Sequence, residues 1–102
     1  MEYFECNYSE SKVEQLFNEA TLIEKKQRSG NGQWVLNFKL NETFKLYLSS
    51  DRGIMDVYIT KNDQPIEFML KFSQIRELDT KKENIDFLFD FLSAHKDKIF
   101  KE

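Results

Sequence analysis

Between Gln33 and Phe72 apolar and polar residues alternate with a period of two, which dictates a sheet with one dry face and one wet face. Trp34, Leu36, Phe38 and Leu40 interleave with Gln33, Val35, Asn37 and Lys39. The same beat returns in Phe44, Leu46 and Leu48, in Met55, Val57 and Ile59, and in Ile66, Phe68, Leu70 and Phe72. Strands are therefore expected over about 33–40, 44–49, 54–60 and 66–72.

Residues facing each other across an antiparallel pair point to the same side, so parity sets the hairpins. Leu40 opposite Phe44 leaves the loop Asn41-Glu42-Thr43. Leu48 opposite Met55 leaves Ser50 to Gly53, and Ile59 opposite Ile66 leaves Thr60 to Pro65. This register sets Asn37, Tyr47, Asp56 and Met69 in one row of the outer face and Lys39, Lys45, Tyr58 and Glu67 in the next. With Val35 and Ile54 nearby, that face is more apolar than solvent requires.

Around the sheet, Ser11 and Glu14 have the spacing of a capping box, and Val13, Leu16, Phe17 and Ala20 share one helical face. A helix is expected over about 11–20. Thr21 to Arg28 suits either a longer helix or a strand. Adjacent Leu22 and Ile23 leave the helical stripe and Gly30-Asn31-Gly32 leads into Trp34, so a strand over about 22–28 is favoured. Lys25, Lys26 and Arg28 would then blunt an edge against pairing with other molecules. Thr80 and Glu83 repeat the capping spacing before Ile85, Leu88, Leu92, His95 and Ile99, widened by Phe87, Phe89 and Phe91, which marks a longer helix over about 81–99. The expected fold is a single α+β domain, a four- to five-stranded antiparallel β-meander flanked by an N-terminal and a longer C-terminal α-helix.

With 102 residues of which 40% are hydrophobic, the chain is long enough for one core, and its ten Phe make that core aromatic. Its net charge of −3 is opposite in sign to that of a general nucleic-acid binder. A lone cysteine, Cys6, excludes an internal disulfide and suits a reducing compartment. The N-terminus carries Glu2 and Glu5 where a signal peptide has cations, and no apolar run approaches the roughly 20 residues of a membrane span. A cytoplasmic location without membrane contact is expected.

Chemistry has few footholds. One His and one Cys cannot supply a zinc site, and a Cys6–His95 dyad would lack a third group to orient it. Gly30, Gly32 and Gly53 form no phosphate loop, and the carboxylates Asp51, Asp56, Glu67, Asp86 and Asp90 make no acid/base pair by spacing. No catalytic activity, metal or cofactor is expected.

Binding is the function class that remains. The outer face offers Tyr47, Tyr58, Asp56, Met69, Val35, Ile54, Glu67 and Asp51 to a protein partner, aromatic anchors within a charged rim. Packing of the first helix on that face is the alternative use of the same residues. A second reading is a nucleic-acid surface, with Lys25, Lys26, Arg28, Lys39 and Lys45 as a basic stripe beside the two stacking tyrosines. In being small, acidic, Phe-rich and α+β, the chain is similar to the immunity proteins that low-GC bacteria encode beside secreted toxins, and to phage and bacterial accessory proteins. That likeness lies in composition and covers no motif. It implies occlusion of a cognate partner, with Asp51, Asp56 and Glu67 complementing a basic site; a homodimer is also compatible with the sequence.

Overall fold

The computed structural model describes residues 4–28, 33–66 and 78–101. They form an α+β fold: an antiparallel sheet of five consecutive strands, joined by a two-residue sixth, with an N-terminal and a C-terminal helix. In chain order these are α1 (Phe4–Leu16), β1 (Thr21–Arg28), β2 (Gln33–Lys39), β3 (Phe44–Asp51), β4 (Ile54–Lys61), the short β5 (Gln64–Pro65), a two-residue β6 (Leu78–Asp79), α2 (Lys82–Ala94) and α3 (Lys96–Ile99). The sheet order is β1-β2-β3-β4-β5, and β6 pairs the start of β4.

The alternation works as its chemistry requires. Trp34, Leu36, Phe38, Leu46, Leu48, Met55, Val57 and Ile59 all point to the inner face and are buried. Each such side chain contributes roughly 1.5–3 kcal/mol relative to leaving it in water. Leu40 meets Phe44 as expected, its N–H donating to the Phe44 carbonyl at 2.9 Å. The Asn41 Oδ1 closes this loop by accepting from the N–H groups of Thr43 (2.8 Å) and Phe44 (2.9 Å).

The next two hairpins are tighter than expected. In β3–β4, Leu48 faces Val57 instead of Met55, and Ser50 faces Met55, so the turn is only Arg52-Gly53. Both turn residues have positive φ, 57° and 81°, the conformation whose twist matches the flanking strands. Ile59 does face Ile66 (Ile66 N–H to Ile59 carbonyl 3.0 Å), but the ladder runs on through Thr60–Pro65 and Lys61–Gln64. Only Asn62-Asp63 turns, again with both φ positive. The expected strand over 66–72 lies, beyond Ile66, outside the described residues.

Both helices cover the inner face, so of the two uses weighed for the outer face, packing of the first helix is not the one the structure adopts. Helix α1 presents Cys6, Ser9 and Val13, spaced by three and four residues, to the core, and α2 presents Ile85, Leu88, Phe89 and Leu92. The helices lie side by side and point the same way. At one end the Tyr8 hydroxyl donates to the Asp86 carboxylate, with Lys12 and Lys82 each 3.3 Å from it. At the other end Lys96 donates to the Leu16 carbonyl at 3.0 Å. That ammonium supplies the cation that the last turn of α1 lacks in its own sequence.

Neither expected capping box forms. Helix α1 starts at Phe4, seven residues before Ser11, because burial of Cys6 and Ser9 carries the helix back, and Glu5 suits its first turn. It ends at Leu16, and Phe17 turns edge-on to Phe100, ring centroids 5.0 Å apart. Lys81 takes the position before α2, while the Thr80 hydroxyl lies 2.7 Å from that of buried Ser50. The expected helix over 81–99 breaks at His95, whose ring stacks on Phe91 and whose Nδ1 lies 3.0 Å from the Phe91 carbonyl.

Candidate functional site

The outer face of the sheet is where the expected binding residues gather. The first helix does not cover it, and among the described residues no helix does. Its central feature follows from the tight Arg52-Gly53 turn, which brings Tyr47 directly opposite Tyr58. Their ring centroids are 6.1 Å apart and their planes tilted by 53°. Tyr47 is half-buried and Tyr58 is 36% exposed. The expected register had placed Asp56 opposite Tyr47; it faces Ser49 instead, one step along the same face.

Around this pair the face is mixed. Asn37 flanks Tyr47 on β2, with Glu24 beyond it on β1. Val35, half-buried, faces Ser49, so the next row reads Lys26, Val35, Ser49, Asp56. Ile54 is 42% exposed and faces Asp51 at the hairpin end. Of the expected binding residues, Tyr47, Tyr58, Asp56, Val35, Ile54 and Asp51 therefore share one surface, whereas Met69 and Glu67 lie outside the described residues.

The tyrosines form one wall of a shallow hollow of about 320 Å³, lined also by Asn37, Lys45, Thr60, Asp63 and Pro65. Thr60, Asp63 and Pro65 were not expected there. The Asn62-Asp63 pair carried the signal, since both residues tolerate positive φ and so permit a two-residue turn that lifts Asp63 and Pro65 beside Tyr58. A larger hollow of about 410 Å³ lies at the far end, between Leu16, Phe17, Leu40, Lys96 and Phe100. Its cation is already committed: Lys96 holds the Leu16 carbonyl and sits 5.1 Å from the centre of the Phe17 ring.

The expected basic stripe is broken in two ways. A bulge at Ile23 shifts the β1 register, so Lys25 pairs with Leu36 and belongs to the inner side, where its ammonium reaches Glu10 at 2.7 Å and Asn7 at 3.0 Å. The remaining lysines are matched by carboxylates: Lys26 by Glu24 (3.1 Å), Lys39 by Glu42 (3.2 Å) and Lys45 by Asp63 (3.1 Å).

Cys6 is fully buried, and burial pushes its thiol up from the ordinary value, against smaller lowering influences from Gln27 and Lys25. Because α1 and α2 run parallel, Cys6 and His95 sit at opposite ends of the pair, separated by roughly 15 Å of helix. Among the described residues no group of three or more His, Cys, Asp or Glu is placed to hold a metal ion. No helix among them is long and apolar enough to cross a membrane. Comparison with protein-family models, curated protein sequences and solved structures gives no match.

Proposed function

We propose that this protein is a small non-catalytic binding domain whose outer sheet face docks a protein partner, with Tyr47 and Tyr58 as its anchor. One observation carries the reading: both helices pack on the inner face, while the outer face sets two tyrosines side by side in a hollow. Half-buried tyrosines offer a large rigid contact surface with a polar tip, and interfaces concentrate their energy in such residues. Ile54 and Val35 extend the apolar area, and Asp51 and Asp56 supply an acidic corner for a basic partner group. An immunity-type or accessory protein that occludes its partner fits this arrangement. The matched lysines favour protein over nucleic acid, because phosphate binding would first have to displace a carboxylate from Lys26, Lys39 and Lys45.

The test compares the tagged native chain with a Tyr47→Ala, Tyr58→Ala double variant in capture from the host, with and without nuclease. A stoichiometric protein that survives nuclease and is lost from the variant is expected. The variant should remain folded, since a cross-strand pair contributes only about 0.2–1 kcal/mol. Binding should fall by about thirtyfold or more, the effect of losing an anchor worth roughly 2 kcal/mol. Material that disappears with nuclease would move the reading to nucleic acid, and capture unaffected by the double variant would remove the tyrosine face as the site.

A further inference from the structure

We infer that β1 is a self-association edge, at which two copies of this chain pair their β1 strands antiparallel and join their sheets side by side. Strand β1 ends the sheet and has no second neighbour among the described residues. Its outward N–H and C=O groups are therefore available to another strand. Edge lysines ordinarily repel such a strand, but two of these are answered within the chain, Lys25 by Glu10 at 2.7 Å and Lys26 by Glu24 at 3.1 Å. Arg28 differs: among the described residues no carboxylate stands within ion-pair distance of it.

The bulge fixes the register. Beyond Ile23 the strand is regular from Glu24 to Arg28, and a pair of identical antiparallel segments carries a twofold axis. Using the whole regular segment puts that axis at its middle residue, Lys26. Glu24 of each copy then faces Arg28 of the other on the outer side, and Lys25 faces Gln27 on the inner side, so parity is preserved. The cation that no described carboxylate of its own chain reaches meets one in the second copy, twice. Lys26 faces its own counterpart, each held by its own Glu24. The axis stands perpendicular to the sheet, so both Tyr47–Tyr58 pairs end on the same side of one wide sheet.

Only a residue on the axis faces itself, and this makes the register testable. A Lys26→Cys chain should form an interchain disulfide at least about tenfold faster than Glu24→Cys or Arg28→Cys, because only position 26 brings its Cα within roughly 4.5–5.5 Å of its copy. Cys6, at 0% exposure, does not compete. In sedimentation equilibrium at low salt the wild-type chain should dimerise, Glu24→Arg should weaken the dimer by about tenfold, and adding Arg28→Glu should restore it. The Tyr47→Ala, Tyr58→Ala chain should dimerise like wild type, which separates this inference from the outer-face reading. A wild-type chain that stays monomeric, equal disulfide rates at positions 24, 26 and 28, or a dimer indifferent to Glu24→Arg would overturn it.

Discussion

Ser9 is fully buried on the core side of α1, and its hydroxyl has no hydrogen-bond partner among the described residues. An unmet buried hydroxyl costs stability, and serine is also a weaker helix former than alanine. Ser9→Ala should therefore stabilise the fold by about 1 kcal/mol, raising Tm by roughly 4–8 °C; a lower Tm in calorimetry would mean that the hydroxyl has a partner after all. Residue by residue, the inner face was legible in the sequence because burial follows strict alternation. The tyrosines were legible as outer-face residues for the same reason. What the alternation could not give was which outer residue stands beside which: a hairpin two residues tighter keeps every side chain on its face while exchanging Asp56 for Tyr58 as the neighbour of Tyr47. Arg52-Gly53 hid that choice, since arginine seldom takes positive φ and a longer loop looked equally sound.

Between elements, the α1–α2 contact is an electrostatic clamp with a definite pH dependence. The hydrogen bond from Tyr8 holds the Asp86 carboxyl below its ordinary range, against the pull of burial, and Lys12 and Lys82 add to it. A carboxyl lowered in this way contributes stability that is complete above the unfolded-chain value of about 3.9 and is lost as pH falls through the folded value. Lys82 is raised chiefly by its hydrogen bond to Asp86. Lys12 is pulled down by burial, but its bonds to Asp86 and Tyr8 outweigh that and leave it raised. The contribution of both lysines is complete below about 10.4 and lost as pH rises through their higher folded values. Asp86→Asn should lower Tm at neutral pH and flatten its acid limb below about pH 4; Tm curves for the two chains that stay parallel down to acid would show that the carboxylate is not the cause. The Tyr8 and Lys12 arms of the clamp were not legible beforehand, because they join residues far apart in sequence and depend on both helices sharing one face. Element types were readable from periodicity, and helix starts were not: capping pairs at Ser11 and Thr80 are local preferences that core burial and the Ser50–Thr80 contact overrode.

For the whole molecule, placing both helices on one side makes the sheet a two-sided wall, with the core behind it and the tyrosine surface in front. The ten Phe suggest an aromatic core, but among the described residues Leu, Ile and Val fill most of it, with Phe17, Phe38, Phe44 and Phe89 buried among them and Phe4 and Phe87 half exposed; nor could any periodicity in the sequence assign the helices to the same side, since an amphipathic helix covers either face equally well. The bulge at Ile23 adds a property that concerns the length of the chain. In an ordinary strand, removing one residue turns everything beyond it inside out. Here Leu22 and Lys25 both point inward on either side of one supernumerary position. Deleting Ile23 should leave each remaining pair of the β1–β2 ladder intact and straighten the edge, with a circular-dichroism spectrum and Tm close to the parent. Deleting Val35 from β2, a residue no larger, should abolish the folded state, because it would drive Trp34 or Leu36 through to the wet side. The fold thus admits a shorter chain at one point of this ladder, where the alternation was already interrupted.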